Sequence, residues 1–191
     1  MDSDIKAWRR AMREGLIAAR MAVPVAERAR AAAVIAERLA MLVRPGQIFS
    51  FYWPMKGELD FRALAARFHA QGVTPALPVV VEKRQPMVFR PWAPKAAMRR
   101  GIWNIPEPAT VETVVPDITL APVVGFSDDG YRLGYGGGYF DRTLAALAPR
   151  PLSIGVGLEI QRIETIHPLA HDIRLDCVMT EASTRGELRR R

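Results

Sequence analysis

At 191 residues, about half of them apolar and a quarter charged, the chain has the length and apolar content of one α/β domain. Its net charge of +7 sits entirely at the ends: residues 1–44 carry nine Lys/Arg against five Asp/Glu, and residues 185–191 carry four against one. That balance suits anionic ligands such as nucleotides or polycarboxylates, while the lack of an RNP, zinc-finger or helix-turn-helix signature argues against nucleic acid, and no apolar run approaches the ~20 residues that cross a bilayer.

The start, MDSDIKAWRRAMREGL, is charged throughout and lacks the apolar centre of a signal peptide, so a cytoplasmic protein is expected. Residues 3–22 read as a helix. Ile5, Trp8, Met12, Leu16 and Ala19 form one stripe, and Lys6, Arg9, Arg10, Arg13 and Arg20 an adjacent one. Periodicity alone favours docking by the apolar stripe with the cations in water; the alternative sets the cations beside a ligand cleft. A second helix opens at Pro24 and stops before Pro45-Gly46. Residues 47–53 read as a strand, and Asp60 is placed to cap a helix that buries Phe61, Leu64, Ala65 and Phe68 and ends at Gly72. Further strands are expected over 76–81, 87–91, 118–124, 152–156 and 175–179. Strands alternating with helices predict a three-layer α/β/α sandwich with a mostly parallel, Rossmann-like central sheet, in a single domain over 1–191 with a flexible tail at 182–191. The lone cysteine, Cys177, excludes an internal disulfide and suits a buried inert thiol.

The segment GYRLGYGGGYFDRTL (130–144) holds the densest chemistry. Its glycines let backbone N–H groups approach an anion. Arg132 offers a planar fork for phosphate oxygens, and Asp141 offers hard oxygens to magnesium. Tyr139, Phe140, Leu144 and Leu147 continue at helical spacing, so the loop opens a helix near the carboxyl end of a strand. The spacing matches neither a P-loop nor a dinucleotide fingerprint. An ordinary Gly-rich turn remains open on these residues alone.

Two more clusters lie on loops. FYWPMKGELD (51–60) sets Trp53 and Met55 near Glu58, and GIWNIPEP (101–108) places Trp103 between prolines. Aromatic rings and a thioether can sandwich a flat heterocycle while a carboxylate accepts its ring N–H groups. The plainer reading packs both tryptophans over the core edge and leaves Glu58 a surface acid. His167 and His171 lack metal spacing, and Asp172 and Asp176 stay open as second magnesium ligands, as caps or as solvated acids.

With these clusters in order, the chain resembles the 5-formyltetrahydrofolate cyclo-ligases from Lys6 to about Glu181. The resemblance rests on RLGYGGGYFD, Lys6 and Arg10, the Met55–Glu58 segment and the Trp-Asn-Ile-Pro-Glu-Pro block. It implies ATP- and magnesium-dependent ring closure of 5-formyltetrahydrofolate to 5,10-methenyltetrahydrofolate, with ADP and phosphate released. By matching position it implies that Lys6, Arg10 and Arg132 meet ATP, together with Leu133, Gly134, Tyr135, Gly136, Gly137, Gly138, Tyr139 and Phe140. Arg132 and Asp141 would be the catalytic pair, with Asp141 holding magnesium. Trp53, Met55, Glu58, Trp103 and Tyr139 would line the folate pocket. Some members carry a further cation where this chain has Gly137, so another arginine or the metal must supply that charge. A monomer or weak dimer is expected, and the alternative function is a non-catalytic nucleotide- or folate-binding module.

Overall fold

The computed structural model describes residues 2–188. Helix α1 (Asp2–Ala22) forms where its period predicts, but it docks on the border between its two stripes. Arg9, Leu16 and Arg20 are buried, whereas Ala19 is exposed. Arginine can occupy such a face because its fork is satisfied by backbone carbonyls. Arg9 donates to the carbonyls of Ile166 and His167, and Arg20 to those of Lys56 and Val123. Helix α2 (Val25–Ala40) follows Pro24, which caps it rather than entering it, and buries Ala31, Ala32, Ile35 and Leu39.

Strand β1 (Ile48–Ser50) leads through the 51–60 loop to α3 (Arg62–Ala70), which buries Leu64, Ala65 and Phe68. Asp60 is not the expected cap: Phe61 holds the cap position without a side-chain hydrogen bond, and the Asp60 carboxylate, one residue earlier, accepts the Arg62 N–H at 2.9 Å. There follow β2 (Thr74–Val79), β3 (Val88–Pro91), a small hairpin of β4 (Met98–Arg100) and β5 (Pro106–Pro108), and β6 (Ile118–Pro122). A second hairpin, β7 (Gly125–Phe126) with β8 (Arg132–Leu133), carries the glycine loop into α4 (Tyr139–Ala146). The chain closes with β9 (Leu152–Val156), β10 (Cys177–Met179) and β11 (Thr184–Gly186).

The seven-stranded sheet has the order β11-β10-β9-β6-β1-β2-β3. Its inner pairs are parallel, and β11 and β3 close the two edges antiparallel. Alternate residues point to opposite faces. Leu120, Ile154 and Cys177 join the core under α2 and α3, while Ala121 and Val178 pack with Leu144 of α4 on the other face. This is the three-layer α/β/α arrangement, mostly parallel as predicted. Part of the tail expected to be flexible, Thr184–Gly186, is strand β11, and residues 189–191 lie outside the described residues. No helix among the described residues is long and apolar enough to cross a membrane. Cys177 is buried, and burial followed by the nearby Asp176 charge pushes its thiol up to about 12, in keeping with an inert role.

This topology sets three loops at the carboxyl ends of neighbouring parallel strands. They are 51–60 after β1, 80–87 after β2, and 123–138 after β6 and its hairpin. Helix α1 lies against the same end, where a Cβ at Gly125 would fall 2.7 Å from the Leu16 methyl.

Candidate functional site

The glycine loop departs from β8 and is shaped by left-handed backbone at Gly136 (φ 94°) and Gly138 (φ 64°), which a side chain would strain. Gly138 caps α4 without any side-chain hydrogen bond, leaving the first-turn N–H groups facing the loop. Two arginines bracket it. Arg13 donates through Nε to the Gly134 carbonyl at 2.7 Å, and Arg142 donates to that of Gly137. Burial first, then the neighbouring Arg9 charge, lowers the Arg13 pKa, with Asp172 opposing. A guanidinium crowded in this way has more to gain from an anion than a solvated one.

Beneath the loop, Arg132 and Asp141 form one ion pair, with Nη1–Oδ1 at 3.1 Å and Nη2–Oδ2 at 3.3 Å. The Asp141 carboxylate also accepts the Ile173 N–H at 3.1 Å. Arg132 lies over the Phe140 ring, 5.4 Å from its centroid, and only 3 % of its side chain is exposed. The residues that the resemblance assigns separately to phosphate and to magnesium are therefore a single paired unit.

A second cluster joins three distant segments. The Tyr135 hydroxyl donates to Glu58 Oε1 at 2.7 Å and accepts from Arg20 Nη2 at 2.6 Å. Glu58 Oε2 accepts the Met55 N–H at 2.9 Å. Glu58 is thus a buried acid rather than a surface one, and burial raises its pKa against the opposing hydrogen bonds from Tyr135 and Met55. Burial, followed by the Glu58 charge, also raises Tyr135, so its phenol stays protonated and donates. Met55, Gly57 and Glu58 also form part of the wall of a groove of about 730 Å³ between α2 and α3.

At the opposite lip, Trp103 stands 60 % exposed at the tip of the β4–β5 hairpin, in a 3₁₀ turn where its own φ is 56°. Its ring meets Tyr139 edge-on at 5.3 Å, and the Arg142 guanidinium covers Tyr139 at 5.0 Å. The Tyr139 hydroxyl accepts the Arg84 N–H from the 80–87 loop at 3.3 Å. Trp53 behaves differently: it packs against the core and carries Arg62 over its ring at 4.9 Å.

The structure therefore brings together Arg132, the 133–140 loop and Asp141 on one side, and Trp103 with Tyr139 on the other. Glu58 and Met55 reach the loop through Tyr135. Lys6 and Arg10 lie exposed on the outer flank of α1, with Arg10 paired to Glu14 at 3.2 Å. Asp172 binds Arg9 at 2.5 Å and accepts the Leu169 N–H at 2.6 Å. Asp176 accepts from the N–H and the hydroxyl of Ser153. Among the described residues no group of three or more His, Cys, Asp or Glu gathers to hold a metal ion.

The model of the 5-formyltetrahydrofolate cyclo-ligase family matches residues 5–181. The chain belongs to this family. It is 30 % identical over 135 residues to the 5-formyltetrahydrofolate cyclo-ligase of Haemophilus influenzae, covering 67 % of this chain and 72 % of that protein. It is 26 % identical over 175 residues to the Mycoplasma pneumoniae cyclo-ligase, covering 90 % and 97 %. The fold matches the 5,10-methenyltetrahydrofolate synthetase of Aquifex aeolicus with a TM-score of 0.80 at 28 % identity, over 93 % of this chain and 92 % of that one.

Three arginines stand at the loop that residue type and spacing do not single out. Arg13 and Arg20 were on the cationic stripe of α1, so their spacing was visible, but not which flank of that stripe faces inward. Arg142 follows Asp141 directly and reaches back one turn to the loop. Its guanidinium crowds Gly138, where a Cβ would fall 2.9 Å from it, and at Gly137 a Cβ would fall 2.8 Å from the Tyr139 ring.

Proposed function

We propose that this cyclo-ligase uses ATP and magnesium to close 5-formyltetrahydrofolate to 5,10-methenyltetrahydrofolate, with the triphosphate on the glycine loop and the folate against the aromatic lip and Glu58. The observation that carries this reading is the convergence of Arg13, Arg142 and the uncapped α4 N-terminus on residues 134–138. These donors gather as a triphosphate requires, and the carboxylate in the first turn of α4, Asp141, is paired with Arg132.

The chemistry follows from the substrate. A formamide oxygen is a poor leaving group, so it must be phosphorylated before the ring can close. The formyl oxygen attacks the γ-phosphorus and ADP departs, leaving the oxygen esterified. N10 then attacks the formyl carbon and loses its proton, and the C–O bond breaks to release phosphate. The chain's task is alignment and charge stabilisation. Arg13 and Arg142 face the charge that spreads over the transferring oxygens, and Arg132, locked by Asp141, backs the loop.

Magnesium, when bound, neutralises phosphate charge and orients the terminal phosphoryl group. Arg132 and the Ile173 N–H together occupy three of the roughly four lone-pair positions of the Asp141 carboxylate. That donor set fits an ion held by one protein carboxylate, with phosphate oxygens and water completing the shell. Lys6 and Arg10, on the outer flank of α1, would reach the distal phosphates from outside.

Purified protein mixed with 5-formyltetrahydrofolate should develop the methenyl chromophore only when ATP and magnesium are both present. No chromophore with all three would refute the proposal, and chromophore without ATP would refute the phosphorylation step.

A further inference from the structure

Glu58 is short of solvation and holds its present donors closely. One oxygen is taken by the Met55 N–H and the other by the Tyr135 hydroxyl, with Arg20 Nη1 at 4.0 Å. An incoming ligand with ring N–H donors shares this carboxylate with the donors already there and competes with them for its charge. The Met55 amide is fixed in the same turn of chain. The Tyr135 side chain is not: it is 39 % exposed, the Arg20 and Lys56 cations lie over its ring at 5.9 and 5.7 Å, and glycines flank it. Gly134 has open space around it, and Gly136 holds φ 94°. The hydroxyl's two hydrogen bonds are thus the main restraint on a side chain mounted in the middle of the phosphate-facing loop.

We propose that Tyr135 is a latch between the two substrate sites: its hydroxyl holds the glycine loop against Glu58 until folate donors take over the carboxylate, and its release frees the loop to close on the triphosphate. The inference rests on the two-substrate reading above. It makes Tyr135 a positioning residue, and it makes binding of the two ligands cooperative, because a loop no longer pinned by Glu58 gives up less on wrapping the phosphates.

The test is a binding cycle with a non-hydrolysable ATP analogue and magnesium, with and without 5-formyltetrahydrofolate. In the wild-type chain the folate should tighten analogue binding by about fivefold or more. In Tyr135→Phe the analogue alone should bind about as tightly as it binds the folate-loaded wild type, and folate should add less than twofold. Tyr135→Leu, which also lacks the hydroxyl, should behave the same way. Enhancement that survives in both variants overturns the latch, as does weaker analogue binding in the absence of folate, the result of a merely structural tyrosine. Absence of coupling in the wild type overturns it as well. A wild-type chain that binds neither ligand refutes the two-substrate reading itself, and the latch falls with it; one that binds both while Tyr135→Phe matches it refutes only the latch.

Discussion

The charged wall of the site and its aromatic lip are held in opposite ways. On the charged wall, Arg9, Arg13 and Arg20 of α1 donate to carbonyls and carboxylates more than a hundred residues away, and Arg132 is locked by Asp141. Each of these four arginines has a fixed partner, so the wall is preorganised. At the lip, Trp103 and Tyr139 meet through one edge-on ring contact, at a hairpin tip largely in solvent. The exposed Trp103 ring contributes little to the fold, while Tyr139 is also held by Arg142 and the Arg84 N–H. Substitutions on the wall should therefore cost both stability and function, and that of Trp103 at the lip function alone.

The largest effect is expected at Asp141. Asp141→Asn keeps an acceptor for the Ile173 N–H but leaves Arg132 without a counter-charge. Turnover in the chromophore assay should fall by about 10²–10³-fold, and loss of one partner of a buried pair should lower stability by about 3 kcal/mol in denaturant titrations. Turnover within threefold of wild type would remove the pair from the mechanism.

Asp172 tests the wall through pH. Burial alone would raise its pKa, but hydrogen bonds from Arg9 and the Leu169 N–H outweigh burial and hold it below the usual carboxylate range. A depressed folded pKa contributes stability that is fully present above the unfolded value of about 3.9 and is lost as pH falls through the folded one. Asp172→Asn should cost about 2–3 kcal/mol at neutral pH and flatten part of the fall in melting temperature below about pH 4. An unchanged acid limb would show that the Arg9 pair does not hold α1 in place.

Arg13→Ala should weaken nucleotide binding about 10–100-fold through loss of a charge-assisted contact, leaving folate binding nearly unchanged. Equal losses for both ligands would dissolve the distinction between wall and lip. The smallest effect is expected at Trp103. Trp103→Ala should weaken folate binding about 5–10-fold and change stability by less than about 0.5 kcal/mol. A clear drop in melting temperature would mean that the ring is structural after all.

Much of the layered fold was legible because burial on both faces writes itself as apolar runs, as in Ile118–Pro122, and because α2 and α3 keep a helical period. The β4–β5 and β7–β8 hairpins and β11 were not legible. Strands of two or three residues show no alternation, and Pro106 and Pro108 read as breakers until the fold pairs them. The glycine loop and its neighbours were readable from residue type. What was hidden was the pairing: Tyr135 with Glu58, and Arg13 with Gly134, join residues 77 and 121 positions apart, and no local pattern encodes such contacts. The stripe on α1 misled because buried arginine is satisfied by carbonyls that only the folded chain supplies. Trp53 followed the plainer rule and packed on the core, while Trp103 did not.

The central claim is that the charged wall and the aromatic lip present their two ligands to each other, so that the phosphoryl group passes directly to the formyl oxygen. The most direct measurement uses 5-formyltetrahydrofolate carrying oxygen-18 in its formyl group and analyses the inorganic phosphate released with ATP and magnesium. One labelled oxygen per phosphate is the predicted result. Phosphate free of label, formed alongside methenyl product, would contradict the account.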